Sequence, residues 1–293
     1  MTTYPKRLKI NLLTSLFLYF CGGFFTAEAQ TKAITAIAHK VGSPALQIAH
    51  VKDGKTHLIN YGLKEQGKTD TISAQTSFQA ASLSKVITAY TFFRLLDKGL
   101  ISLDVPLWDY YPYDRLAETP GKERITARMV LSHRSGLLNW EGDVPSAAWR
   151  ASPLSLLFDP GTAYSYSGEG FYFLQEVMEH ISGKALEDLV QEELLTPLGM
   201  HNSAMRWQER FAADAAYGHD EQGKPKRFAK YAKANAAYTL YTTAEDYTRF
   251  VQEALLSGEG LTSESHQQMC SYAAEAQKGP QATPEDAHVP CTL

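Results

Sequence analysis

Two short runs of alternating apolar and polar residues lie near the start of the chain, at positions 46–51 and 57–62. Asp53 and Gly54 stand between them, and such a pair adopts positive backbone φ at little cost. The pattern therefore predicts a β-hairpin. Helical spacing at residues 31–40 predicts a short amphipathic helix ahead of this hairpin.

Apolar residues recur at helical spacing from position 82 onward. The first run predicts a buried helix that opens at Ser82 and ends near Gly99, a residue suited to a left-handed cap. Residues 101–256 are mainly helical in pattern, with glycine and proline between the helices. Within them Thr243 matches a helix N-cap, and another helix is expected to begin near Gly168. A final helix is predicted at residues 264–276.

The composition fits an enzyme and disfavours a nucleic-acid-binding protein. The 293 residues are 44% hydrophobic, enough to bury one sizeable core or two smaller ones. The formal net charge is −4, and a mildly acidic chain is a poor candidate for binding nucleic acid. Cys270 and Cys291 lie near the C-terminus, and the sequence leaves open whether they form a disulfide.

The first 29 residues have the pattern of an export signal. Basic residues precede an apolar run at positions 12–25, and an Ala-Glu-Ala sequence at positions 27–29 fits a cleavage site. Removal of this segment predicts a periplasmic or secreted protein with no remaining membrane span. The alternatives are a membrane anchor, for which the run is short, and a lipoprotein site at Cys21, which follows two bulky aromatic residues.

Ser82 and Lys85 form a Ser-x-x-Lys pattern where the buried helix is predicted to begin. Positions i and i+3 lie on one helix face, so the Lys85 ammonium can reach the Ser82 hydroxyl. A serine becomes a good nucleophile when a neighbouring base takes its proton, and burial lowers the pKa of a lysine toward that role. The four-residue pattern alone also fits a capping serine followed by a solvated lysine. The apolar flanking residues favour the reactive interpretation.

Tyr166 is a further candidate site residue. It lies where an aromatic-rich loop meets the helix predicted at Gly168, and side chains at such junctions commonly project into clefts. His133, in a capped segment at residues 125–137, and His219, in a polar turn, belong to no set of ligands with zinc spacing. The sequence therefore predicts no metal site.

Taken together, these segments resemble the serine β-lactamase and penicillin-recognising family. The resemblance is to the branch of class C β-lactamases, D-alanyl-D-alanine carboxypeptidases and related esterases and D-amino peptidases. The matching segments, in family order, are the Asp53-Gly54 hairpin, Ser82-x-x-Lys85, residues 131–137, Pro160-Gly161 with Tyr166-Ser167-Gly168, and residues 243–246. The resemblance covers nearly all of residues 30–293, and several motifs in one order are far more specific than any one alone.

The resemblance implies an α/β (α+β) fold of the β-lactamase/transpeptidase type. An antiparallel sheet built from both chain ends is flanked by helices, and a helical domain is inserted between. In the single β-lactamase-related domain at residues 30–293, residues 30–100 form the hairpin and the Ser82 helix of the α/β part. Residues 101–256 form the mainly helical part, and residues 257–293 form a truncated C-terminal part.

The resemblance also implies roles for individual residues. Ser82 is the acylated nucleophile, Lys85 and Tyr166 share the proton handling, and Gly168 stands at a substrate-binding position. His133 matches a position that the family uses structurally. No cofactor is implied.

Two departures from the family pattern bear on function. Gly168 stands where the family often carries asparagine, so a side-chain amide that would hold substrate is missing, which favours an esterase or peptidase over a β-lactamase. The third motif, Lys-Thr-Gly or His-x-Gly on a strand, has no match after Thr243, and Lys278-Gly279-Pro280 lacks its middle residue and a strand context. The sequence therefore predicts a C-terminal truncation with sheet strands missing.

Two functions follow from this pattern. The first is an exported serine hydrolase that acts through an acyl-enzyme on an amide or ester, with a β-lactam, a D-amino-acid or cell-wall peptide, or a small ester as substrate. The second is a catalytically incompetent truncated homologue or a non-catalytic module that binds cell-wall peptides. The missing third motif motivates the second function. The resemblance implies that the strand carrying this motif supplies one oxyanion N–H donor, and loss of one such donor costs on the order of a hundredfold or more in rate.

Overall fold

The computed structural model describes residues 27–275 and 290–292. Most of the predicted export signal and the Lys278-Gly279-Pro280 segment lie outside the described residues. Within the described ranges, no helix is both long enough and apolar enough to cross a lipid bilayer.

The described residues combine helices with short antiparallel strands, as expected for an α/β (α+β) fold. The helices are α1 (Ala27–Lys40), α2 (Ser84–Asp97), α3 (Leu107–Tyr110), α4 (Ala127–Leu131), α5 (Ala147–Ala151), α6 (Gly168–Ser182), α7 (Leu186–Val190), α8 (Ala244–Phe250) and α9 (Ser263–Met269). The strands are β1 (Ala45–Lys52), β2 (Lys55–Gly62), β3 (Phe78–Ala81), β4 (Leu240–Thr242), β5 (Tyr272–Glu275) and β6 (Pro290–Thr292). π-Helical turns at Gln191–Leu195 and Val251–Leu256 extend α7 and α8.

β1 and β2 form the predicted hairpin. The two strands pair in antiparallel register along their whole length. Asp53 and Gly54 have φ values of 52° and 70°, as the two-residue turn requires. The Gln47 carboxamide of β1 accepts a 2.6 Å hydrogen bond from the Ala244 N–H, which ties the hairpin to the start of α8.

β3 leads into α2 and pairs antiparallel with β4. The Ser84 hydroxyl donates to the Ala81 carbonyl at 2.6 Å and accepts from the Leu240 N–H at 2.9 Å. One side chain thus joins the end of β3, the start of α2 and the start of β4. β4 is absent from the sequence prediction, which gave residues 101–256 a helical pattern, because its pairing partner is distant in sequence.

α2 lies in the main hydrophobic core. Its fully buried side chains include Ile87, Phe92 and Phe93, and α6 contributes Phe173, Leu174 and Val177 to the same core. Each large apolar side chain typically contributes about 1.5–3 kcal/mol when it is removed from water. The core therefore fixes α2, and with it the turn that precedes the helix.

The predicted start of α2 is wrong by two residues. Helical structure begins at Ser84, and the preceding turn is closed by a 3.1 Å hydrogen bond from the Leu83 N–H to the Ala80 carbonyl. Ala81, the last residue of β3, has a φ of 44°, so the backbone turns sharply between the strand and the helix. Ser82 is consequently exposed rather than buried in the core.

The helix predicted at residues 264–276 ends early, at Met269. The backbone N–H groups of Cys270 and Ser271 bond to the carbonyls of His266 and Gln268 and close the helix. β5 follows and pairs antiparallel with β6, a contact that local periodicity does not reveal. Cys270 is an exposed free thiol.

Candidate active site

Ser82 and Lys85 meet at the junction between β3 and α2. Lys85 Nζ lies 3.4 Å from Ser82 Oγ. Ser82 is exposed, whereas Lys85 is 6% exposed. A turn rather than a single helix face joins the two predicted residues. The hydroxyl is therefore accessible to a reactant while the amine is withdrawn from water.

The surroundings of Lys85 favour its neutral form. Burial lowers the pKa of Lys85 to about 8, and no carboxylate within residues 27–275 contributes to this shift. Lys85 Nζ donates a 2.9 Å hydrogen bond to the Ala237 carbonyl. A neutral amine has both N–H donors and a lone pair, so it can keep this bond while accepting the Ser82 proton.

Tyr166 reaches the same place from the loop ahead of α6. Lys85 Nζ lies over the Tyr166 ring, 4.6 Å from its centroid, in the geometry of a cation–π contact. The next residue, Ser167, is the N-cap of α6, and its hydroxyl accepts a 2.9 Å hydrogen bond from the Gly170 N–H. The cap fixes the backbone beside Tyr166. The structure thus brings the three predicted side chains together.

His133 supports the Tyr166 loop. Its ring centroid is 4.4 Å from that of Tyr166, and its Nδ1 accepts a 3.1 Å hydrogen bond from the Ser167 N–H. Burial first, and the charge of Lys85 second, lower the pKa of His133 to about 3. The imidazole is neutral near pH 7 and its acceptor nitrogen is occupied, so it is a poor general base. This geometry agrees with the structural role that the resemblance implies.

Gly168, the predicted substrate-binding position, is the buried first residue of α6. Its N–H lies 3.1 Å from both the carbonyl and the side-chain oxygen of Asn139. A Cβ built on Gly168 would lie 2.3 Å from Cζ2 of Trp140. The position therefore has no room for a side chain in this arrangement.

The next residue of α6, Glu169, carries a buried carboxylate. Glu169 is 0% exposed and forms a two-pronged ion pair with Arg115, at 2.8 and 3.2 Å. Its Oε1 also accepts hydrogen bonds from Trp149 Nε1 at 2.6 Å and from the Glu141 N–H at 2.9 Å. Paired in this way, the carboxylate holds the loop between α4 and α5 against the first turn of α6.

The sequence analysis missed three contributors to this site. The Ala237 carbonyl is a backbone atom and leaves no side-chain signal. Trp140 lies in a loop with no regular pattern. An acidic residue between two glycines at the start of an apolar helix, as in Gly168-Glu169-Gly170, is the signal that points to a buried carboxylate.

A cavity of about 850 Å³ lies beside this site. Asn235, Tyr238 and Glu187 are among its lining residues, while Ser82, Lys85 and Tyr166 are not. The contacts of the reactive groups, rather than the size of the cavity, therefore locate the candidate site. In the described part of the chain, no group of three or more His, Cys, Asp or Glu residues has an arrangement that could hold a metal ion.

The chain was compared with models of known protein families. A family model described as Beta-lactamase matches residues 31–288. The chain belongs to the beta-lactamase family. The match includes the Ser82–Lys85 turn, Tyr166 and the segment around Ala237.

Curated members of the family are distant in sequence. The chain is 26% identical over 232 residues to penicillin-binding protein 4 of Amycolatopsis lactamdurans, covering 73% of this chain and 60% of that protein. It is 24% identical over 191 residues to the D-alanyl-D-alanine-carboxypeptidase/endopeptidase AmpH of Escherichia coli (strain K12), covering 61% and 50%. Across three such relatives the chain spans 58–66% of the relative's length.

Solved structures share the fold. A class C beta-lactamase aligns with a TM-score of 0.70 and 24% identity, covering 85% of this chain and 72% of that chain. The D-alanine carboxypeptidase AmpC from Burkholderia cenocepacia aligns with a TM-score of 0.68 and 24% identity, covering 83% and 68%. The predicted β-lactamase/transpeptidase-like fold is confirmed by these likenesses.

Proposed function

We propose that this chain is an exported serine hydrolase that acts through an acyl-enzyme on an amide or ester. Membership of the beta-lactamase family supports the reaction class. The observation that carries the proposal is the contact of an exposed Ser82 Oγ with a buried Lys85 Nζ whose pKa is lowered to about 8. About a tenth of such an amine is neutral at pH 7, where it can accept a proton.

The chemistry follows from this contact. Neutral Lys85 takes the Ser82 proton as Oγ attacks the carbonyl carbon of the substrate, and the Ala237 carbonyl then accepts from the resulting ammonium. The N-terminal end of α2 adds a favourable potential for the negative charge on the substrate oxygen. The ammonium returns its proton to the leaving amine or alcohol, which leaves an ester on Ser82.

Tyr166 completes the proposed proton path. Its ring lies beneath the Lys85 amine, and its phenol hydroxyl can both donate and accept a hydrogen bond. In the second half of the reaction, a water molecule that is hydrogen-bonded to the Tyr166 phenol gives a proton to neutral Lys85 and attacks the Ser82 ester. The bond between Ser82 Oγ and the acyl carbon then breaks, the Lys85 ammonium returns the proton to Oγ, and the acid product leaves.

The proposed substrates are a β-lactam, a D-amino-acid peptide or a small ester. Relatives named as a penicillin-binding protein, a beta-lactamase and a D-aminopeptidase support this range. Export to the periplasm or the medium is part of the proposal, and it rests on the pattern of the first 29 residues. N-terminal sequencing of the protein recovered outside the cytoplasm tests it, with Gln30 as the expected first residue.

Labelling of Ser82 tests the reaction. A fluorescent fluorophosphonate and a fluorescent penicillin are added to the full chain, and the adduct is located by peptide mass spectrometry. We expect an adduct on Ser82 that disappears in Ser82→Ala and persists in Ser263→Ala, which removes an exposed serine at the start of α9. Absence of any adduct on folded protein would refute the hydrolase. A stable adduct without turnover of an ester would favour the alternative, a module that binds but does not hydrolyse.

A further inference from the structure

Trp140 occupies the space that a side chain at position 168 would need. A Cβ on Gly168 would lie 2.3 Å from Cζ2 and 2.6 Å from Cε2 and Cη2 of Trp140. Real Cβ atoms do not approach other atoms so closely. The glycine and the indole are therefore complementary, because the ring can lie there only while residue 168 has no side chain.

Several contacts hold the Trp140 ring in this position. It makes edge-to-face contacts with Tyr238, at 5.5 Å between centroids, and with Trp149, at 6.1 Å. Trp149 is itself held by its hydrogen bond to the buried Glu169. Asn139, the residue before Trp140, accepts the Gly168 N–H. The indole is thus part of a packed cluster rather than a mobile surface side chain.

The ring contacts two residues, Gly168 and Tyr238, that lie close in sequence to the groups of the candidate site. Gly168 is two residues after Tyr166, and Tyr238 directly follows Ala237, whose carbonyl accepts from Lys85 Nζ. An indole presents a broad apolar face and a single N–H donor, whereas a side-chain amide offers both a donor and an acceptor. At position 168 an apolar aromatic ring therefore occupies the space that a side-chain amide would need.

We infer that Trp140 determines the acyl-group specificity of the site, favouring donors with an apolar acyl chain over donors with an acylamino group next to the reacting carbonyl. An apolar chain gains contact area on an aromatic face. An acylamino group loses its hydrogen bonds to water on the same face without replacement. This inference rests on the proposed function and names the substrate class within it.

Acylation kinetics on matched esters test the inference. The p-nitrophenyl esters of hexanoic acid, acetic acid and N-acetylglycine all release the same leaving group. We expect Trp140→Ala to lower the hexanoyl-to-acetyl ratio of kcat/KM about tenfold. In Trp140→Ala/Gly168→Asn, we expect the N-acetylglycyl-to-hexanoyl ratio to rise about tenfold above that of the wild type. Trp140→Leu, which keeps an apolar side chain, serves if the alanine variant does not fold.

Trp108→Ala is the matched control, because it removes another partly buried indole that lies under Lys122. It should leave both ratios within twofold of the wild type. Ratios that stay within twofold in the Trp140 variants, while Ser82 is still acylated, would overturn the inference and leave the hydrolase proposal intact. Failure of every probe to acylate wild-type Ser82 would instead refute the hydrolase, and the inference with it.

A measurement independent of catalysis tests the packing. Gly168→Ala should lower the midpoint of urea unfolding in the wild type and lower it less in a Trp140→Ala background, where the indole is gone. Equal shifts in the two backgrounds would overturn the inference, because Trp140 would then not fill the space at position 168.

Discussion

At the residue scale, Lys85 is defined by what surrounds its amine. Withdrawal from water lowers its pKa to about 8, while its hydrogen bond to the Ala237 carbonyl is available to the charged and neutral forms alike. The reactive form in the proposed mechanism is the neutral one. The rate of acylation should therefore report the titration of Lys85.

We predict that the rate of Ser82 labelling by a fluorophosphonate rises about tenfold per pH unit below pH 8 and levels off above it. The labelling rate falls at lower pH because protonation of Lys85 removes the base. Labelling rates measured between pH 6 and 10 check this prediction. Lys85→Arg, which stays protonated throughout this range, should remove the plateau and abolish most labelling. A midpoint near the ordinary lysine value would contradict the lowered pKa of Lys85, and an unchanged labelling rate in Lys85→Arg would contradict its assignment as base.

The sequence indicated Ser82, Lys85 and Tyr166 because each is a reactive side chain in a recognisable local pattern. The same patterns could not supply the contacts that tune them. The lowered pKa of Lys85 depends on burial by the folded chain, and its acceptor is a backbone carbonyl 152 residues away. Such contacts exist only once the fold has formed.

At the element scale, one buried ion pair organises the loop beside the site. Glu169 in α6 accepts from Arg115, from Trp149 in α5 and from the Glu141 backbone. Removal of the Glu169 charge leaves the buried Arg115 guanidinium without a compensating partner.

We therefore predict that Glu169→Gln lowers the free energy of unfolding by about 3–5 kcal/mol. Urea denaturation of the variant and the wild type measures the difference. Asp159→Asn is the control, because the Arg124–Asp159 pair is exposed and should change stability by less than about 1 kcal/mol. Similar small effects for both variants would show that Glu169 is not the organising contact.

Elements with local signals were predictable and elements with distant partners were not. The β1–β2 hairpin followed from Asp53-Gly54, and the cap of α8 from Thr243, whose hydroxyl accepts from the Asp246 N–H. β4 was missed because it pairs with β3, far back along the chain, and β5 was missed because its pairing with the next strand, β6, leaves no local signal. The start of α2 was misplaced because the backbone at Ala81 turns before the helix begins.

At the scale of the whole molecule, the dependence of stability on pH combines opposing contributions. Hydrogen bonds lower the pKa values of Asp97, Asp104 and Asp214, so their stabilisation is lost at low pH. Burial raises the pKa values of Glu176 and Glu187, which favours the fold on the acid side of neutrality. Burial lowers the pKa of His133 from its ordinary value near 6.5 to about 3, so this residue destabilises the folded state as the pH falls below about 6.5.

We predict that His133→Asn reduces the loss of stability on acidification. Between about pH 6.5 and 3 the unfolded chain binds a proton at His133 that the folded chain does not, so folding weakens as the pH falls. Asparagine tolerates the φ of 55° and can accept the Ser167 N–H. The difference in unfolding free energy between pH 7 and pH 4.5 should shrink by about 2–3 kcal/mol.

Urea unfolding at the two pH values measures this difference. His39→Asn, at an exposed position on α1, is the control and should leave the difference unchanged. An identical acid response in His133→Asn and the wild type would show that the imidazole does not resist protonation in the fold.

Three side chains near the start of α2 bond to one distant stretch of backbone. Ser84 accepts from the Leu240 N–H, and Lys85 and Thr88 donate to carbonyls within residues 236–237. A graft of residues 78–90 onto another scaffold would carry Ser82 and Lys85 but leave the backbone partners at residues 236–240 behind. The transplanted lysine would then remain an ordinary solvated cation. Transfer of this chemistry to another protein therefore requires both residues 78–90 and residues 236–240, with the hydrogen bonds between them preserved.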